Sequence, residues 1–169
     1  MKTKEISVCS ISAAYGVGIL LIGFYLSFGE FFWYFAASLF MNLPKTPQGK
    51  WLSYIICSVL AMLLCSFHFI YLASFIFLMG PYAAVTACTE NFTPVLKHAC
   101  RIAHFAVGLL LICYFTPMFL IQLSVQRSAA VIIPAIIAII IISAVVEPLY
   151  DRLYSHVSRI VLKRSRKTS

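Results

Sequence analysis

Acidic side chains are scarce: five in 169 residues, against thirteen Lys and Arg. Glu5, Glu30, Glu90, Glu147 and Asp151 all read as lying near the ends of apolar runs rather than in their middles. That distribution argues against a proton relay, which needs ionisable groups held at membrane depth. Polarity is low throughout. Charged residues make up 11% of the chain and hydrophobic residues 62%, with a mean hydropathy of +0.97. A soluble domain of this length has no core large enough to hide so much apolar surface. Catalytic signatures are missing too. There is no HExxH, no GxSxG, no Walker A sequence and no paired-aspartate motif, and no nucleophile, base and orienting group converge by spacing. The expectation is a protein that is not an enzyme and carries no cofactor. The six cysteines, Cys9, Cys57, Cys65, Cys88, Cys100 and Cys113, form no CxxC pair and no Cys/His cluster. They read as free, small apolar side chains, with no metal site.

What is present is a pattern of basic residues. Lys2 and Lys4 precede the first apolar run, Lys45 and Lys50 follow the second, and Lys97 and Arg101 follow the fourth. Arg152, Arg159, Lys163, Arg164, Arg166 and Lys167 follow the last, and only Arg127 falls in a gap of the opposite parity. Cytoplasmic loops of membrane proteins collect Lys and Arg, and short loops obey this bias best. Six spans with both termini inside satisfy it, placing all the basic residues but Arg127 in the cytoplasm. The net charge of +8 then reflects orientation and anionic lipid headgroups rather than nucleic acid, because the basic residues border apolar runs instead of forming a face. The first run follows a basic start but lacks a small-residue cleavage site, so it reads as a retained span.

The spans can be placed along the chain. The first runs from Ile6 to Phe28 and is interrupted by Gly29-Glu30. The second, Phe31 to Leu43, is short for a bilayer that needs about 20 residues. Leu43-Pro-Lys-Thr-Pro-Gln-Gly-Lys50 is the clearest loop. One helix over Trp51–Cys88 would be nearly 60 Å long, so the chain must fold back, near Ser66–His68, into a third and a fourth span. Gly80-Pro81 kinks or shortens the fourth. A polar turn at Thr89–Pro94 leads to a fifth span from Val95 to about Leu123, kinked at Pro117. Gln122–Ser128 forms the next outer turn. The sixth span starts near Ala129 and holds the run Ile136–Ile142, apolar all round. Pro148 ends or bends it. The fold class is therefore all-α: a polytopic bundle over 1–148, followed by a tail over 149–169. In the tail Leu149, Leu153, Val157, Ile160 and Val161 recur at helical spacing, which suits an amphipathic cytoplasmic extension at the headgroups.

Two constellations stand out. Glu30 precedes Phe31, Phe32, Trp33, Tyr34 and Phe35 at an outer turn, with His68, Gln126 and Arg127 at the same level. This is either an interfacial aromatic belt with an acid at a helix N-terminus or the mouth of a ligand site, with aromatic walls and a few polar groups. Ser10, Ala14 and Gly18 form a small-residue line on helix 1, where another helix can approach closely. The line serves packing within the bundle or docking of a partner.

In layout the chain resembles the six-helix substrate-binding subunits, or S components, of energy-coupling factor transporters, with small residues in Ser10-Ile-Ser-Ala-Ala-Tyr-Gly-Val-Gly18. It is also similar to small bacterial membrane proteins with a Gly-Pro-Tyr segment, here Phe77–Tyr82, followed by an acid, here Glu90. The resemblance to S components implies an outer site for a small, vitamin-like molecule, with Glu30, Trp33, Tyr34, His68, Gln126 and Arg127 as candidate lining residues. It further implies docking through Ser10, Ala14 and Gly18 to a transmembrane coupling subunit driven by ATPases, in a bacterial plasma membrane. The alternative is a structural or accessory membrane protein of cell-shape or cell-wall machinery, similar in size and span count to the small rod-shape-determining membrane protein.

Overall fold

The computed structural model describes residues 3–26, 29–65, 69–115 and 129–165. Every regular element among them is helical: α1 (Thr3–Leu26), α2 (Glu30–Phe40), α3 (Pro47–Leu64), α4 (Phe69–Ser74), α5 (Tyr82–Cys88), α6 (Pro94–Phe115) and α7 (Ala129–Ser165). A π-helical turn, Phe75–Met79, joins α4 to the Gly80-Pro81 step. Among the described residues, three stretches are long and apolar enough to cross a membrane: Thr3–Leu26, Tyr71–Cys88 and Pro94–Phe115.

The breaks have local causes. Gly29, before α2, has φ of 65°, a left-handed conformation that glycine adopts without steric cost. Thr46 caps α3: its Oγ1 accepts from Gly49 N at 3.1 Å, and Pro47 occupies the first helical turn, where no N–H is needed. The π-turn precedes a proline. Gly80 N donates to Phe75 O at 2.7 Å, so Ile76 O loses its usual partner, and Pro81 has no N–H to replace it. The Tyr54 hydroxyl donates to Ile76 O at 2.7 Å instead. His104 Nε2 lies 3.0 Å from Leu78 O. A carbonyl only accepts, so this contact requires the tautomer protonated on Nε2.

α1 packs between α2 and α3, and α6 packs along α7, while the α4–α5 rod lies between the two halves. Tyr54, midway along α3, reaches the middle of that rod, so the chain does fold back between α3 and α4, as its length demanded. The fold-back residues 66–68 lie outside the described residues, as do Pro117 and the turn at 122–128. α7 runs unbroken through Pro134 and Pro148, so Pro148 does not end the helix. At 37 residues it is about 55 Å long. Beyond Pro148, Leu149 and Leu153 are exposed, whereas Tyr150 and Tyr154 are buried against Phe35, Tyr82 and each other.

The core is built from small and aromatic residues. Cys9, Ala13, Gly16, Leu20 and Gly23 make the inner face of α1 at alternating spacings of four and three, with Ser12 and Val17 beside them. They meet Tyr34, Ala37 and Met41 from the α2 side and Cys57, Ala61 and Cys65 from the α3 side. Large apolar side chains such as Ile11, Ile22, Ile55, Leu63, Val107, Ile141 and Val145 face outward. That inversion suits a lipid surround, where small residues let helices approach and long aliphatic ones meet acyl chains.

Candidate functional site

The small residues of α1 separate onto two faces. On the inner face a Cβ at Gly16 would lie 2.6 Å from Met41 Cε and 2.8 Å from Cys57 Sγ, and one at Gly23 would lie 2.6 Å from Trp33 Cγ. Both glycines exist for internal contact. Ser10 and Ala14 are exposed and Gly18 half-buried on a different face, and a Cβ at Gly18 would meet nothing within 4 Å. Ala14 and Gly18 form the floor of a shallow groove of about 500 Å³ whose walls are Ile11, Tyr15, Ile19 and Ile22. The Tyr15 ring stacks on Phe40, with centroids 5.3 Å apart, which holds one wall in place. The Ser10 hydroxyl donates to Ile6 O at 3.1 Å, one turn back in its own helix, and does not line the groove. The groove is thus apolar, open and shaped to take a helix or an acyl chain.

The aromatic turn before α2 divides differently. Glu30 is exposed, and Trp33 is half-buried against Gly23. Tyr34 is a core residue at 1% exposure. Its hydroxyl donates to Tyr71 O, with Glu30 Oε2 at 3.4 Å, and its ring meets Tyr71 edge-on at 5.3 Å. It ties α2 to α4. His68, Gln126 and Arg127 lie outside the described residues.

A third constellation escaped the reading of the sequence. Glu147 is buried to 1% exposure between α6 and α7. Its Oε1 lies 3.8 Å from Arg101 Nη1, and its Oε2 lies 3.4 Å from His98 Nδ1. Arg101 Nη1 also donates to Asp151 Oδ1 at 2.7 Å, and that oxygen accepts from the Tyr82 hydroxyl at 2.8 Å. Glu147 Oε1 and Arg101 Nε are both buried without a hydrogen-bond partner. Two carboxylates therefore share one guanidinium, the imidazole meets Glu147 alone, and Tyr82 of α5 completes the set at Asp151. The available signal was spacing: His98 and Arg101 sit three apart on one helix, and Glu147 and Asp151 four apart on another, so each pair presents one face. What the sequence could not show was that these two faces meet. The geometry is that of an ionic clamp between helices. No group of three His, Cys, Asp or Glu placed to hold a metal ion occurs among the described residues.

At one end of the bundle the Thr46 hydroxyl donates to Glu5 Oε1, Cys9 Sγ donates to Gly49 O at 3.4 Å, and Lys50 Nζ donates to Asn42 Oδ1 at 3.1 Å. Burial lowers the Lys50 ammonium below the usual lysine value, while Glu90 and Cys88 act on it in the opposite sense. The start of α1, the 44–50 loop and the turn after α5 thus gather at the same end. Burial likewise pushes the Tyr150 and Tyr154 phenols above the ordinary tyrosine value, which keeps them neutral. Tyr150 pairs with Ser38 Oγ at 3.1 Å, and Tyr154 donates to Ser38 O at 3.3 Å.

The chain matches no family model, and neither a curated protein nor a solved structure resembles it at a significant level.

Proposed function

We propose that the protein is a membrane-embedded subunit that docks onto a transmembrane helix of a partner through the outward face of α1. In its specific form it is the substrate-binding subunit of a small-molecule uptake transporter, with an ATPase-driven coupling subunit as partner. One observation carries this reading: Ala14 and Gly18 floor an open apolar groove on a helix long enough to cross the membrane, while a separate set of small residues on the same helix does the internal packing. Close helix approach over small residues is how association proceeds where water supplies no driving force. The orientation we propose has six spans, with both termini and the 44–50 loop in the cytoplasm of a bacterial plasma membrane. The clustering of Glu5, Thr46, Lys50 and Glu90 at one end supports it. On this reading a ligand would meet Glu30 and Trp33 at the opposite end.

A second reading, a structural or accessory subunit with no ligand of its own, is favoured by Tyr34, which serves the core rather than a ligand mouth. Purification of the tagged protein from its native membrane separates the two. A coupling subunit with ATPases supports transport, and cell-wall synthesis proteins support the structural role. Recovery of the same partner by wild type and by Ala14→Leu/Gly18→Leu would remove α1 docking altogether.

A further inference from the structure

We propose that the cleft between the first turns of α1 and the 43–46 segment is a seat for one anionic phospholipid. The cleft has a volume of about 390 Å³, within the size range of small-molecule sites. It has two chemically distinct parts. Val8, Leu43 and Pro44 give it apolar walls, and Lys4 and Lys45 stand exposed at its rim. Lys4 and Val8 are one helical turn apart, so the charged rim sits about 6 Å above the apolar part along α1. Among the described residues, no ion pair reaches Lys4 or Lys45.

The walls are held before any ligand arrives. Glu5 accepts from the Thr46 hydroxyl, which in turn accepts from Gly49 N. Ser53 Oγ donates to Cys9 O at 3.3 Å, and Cys9 Sγ donates to Gly49 O. A Cβ on Gly49 would lie 2.9 Å from Pro44 Cβ, so this packing closes the back of the cleft. Glu5 faces Thr46, and the rim carries two ammonium groups against this one carboxylate, a surplus of positive charge that calls for an anion. The apolar walls call for hydrocarbon beneath it. A lipid phosphate with its acyl chains meets both demands. A free phosphate would leave the walls wet, and a zwitterionic head would bring its own cation against the lysines. The proposal rests on the membrane reading alone, and its failure would leave α1 docking untouched.

Native mass spectrometry of the detergent-solubilised protein, titrated with phosphatidylglycerol or phosphatidylcholine of identical chains, tests it. Two lysines opposed by one carboxylate near a lipid surface favour the anionic head by roughly fivefold. Wild type is expected to retain phosphatidylglycerol by that margin, Lys4→Gln/Lys45→Gln to lose the preference, and Lys4→Arg/Lys45→Arg to keep it. Equal retention of the two lipids, or an unchanged preference in the Gln variant, overturns the proposal. Displacement of phosphatidylglycerol by millimolar inorganic phosphate also overturns it, because the seat would then be one for free anions.

Discussion

Arg101 is the shared counter-charge of Glu147 and Asp151, and its loss would leave two carboxylates side by side on α7, facing the α6–α7 seam without a guanidinium between them. Breaking a buried ion pair from one side costs about 3–5 kcal/mol, because the remaining charge is stranded. Arg101→Ala is therefore expected to lower the thermal midpoint of the solubilised protein sharply. Glu147→Gln removes the surplus negative charge, keeps the shape, and can still donate or accept at the His98 side. It should cost much less, about 1 kcal/mol or under. Equal losses in the two variants would mean that the charge balance of the clamp has been misjudged. Tyr34 offers a second test at this scale. Tyr34→Phe removes the donor to Tyr71 O and should cost about 1 kcal/mol, the net worth of one such hydrogen bond. A ligand-lining tyrosine would instead tolerate the change in melting experiments without ligand.

Element-level behaviour turns on the two faces of α1. A methyl added at Gly23 would run into Trp33 Cβ at 2.7 Å, next to the backbone, and the Tyr71 hydroxyl at 2.7 Å, which is held by its hydrogen bond to Leu20 O. Gly23→Ala should then cost about 1–3 kcal/mol by overpacking. Gly18→Ala meets open space and gains helix propensity, so it should be neutral or stabilising by up to about 1 kcal/mol. Thermal midpoints of the two variants, measured side by side in detergent, check the assignment. A Gly18 variant as damaged as the Gly23 variant would place both faces of α1 inside the bundle and close the groove to any partner.

For the whole molecule, orientation is the decisive property, and Cys88 is a native probe for it. It is exposed at the end of α5, on the same end of the bundle as Lys50. With the other five cysteines replaced, Cys88 should react with an impermeant maleimide only after the membrane is opened. Single probes at Gln48 and Ser165 should behave alike. Reaction of any of the three in intact cells would defeat the arrangement with both termini inside. Because Glu5 is hydrogen-bonded to Thr46, the start of α1 and the 44–50 loop cannot lie on opposite sides of a bilayer.

Composition and local chemistry by themselves determined the all-helical class, the apolar exterior and most of the breaks. Gly29, Thr46-Pro47 and Gly80-Pro81 act through their own backbones and capping groups, so their effects are legible one residue at a time. The need to fold back between Trp51 and Cys88 followed from length alone. Which face of α1 turns inward was not legible, because both faces are apolar and both carry small residues. Only the positions of Met41, Cys57, Trp33 and Tyr71 decide it. The inward turn of Tyr34 was hidden for the same reason: it sits in a run of five aromatics that hydropathy cannot rank. Glu147 read as a residue at the end of a span, and it became a buried group only when α6 and α7 came together and set His98 and Arg101 against it. Hydropathy and turn signals are properties of a segment. The partner of a buried charge is a property of how two segments pack, and that is written only in three dimensions.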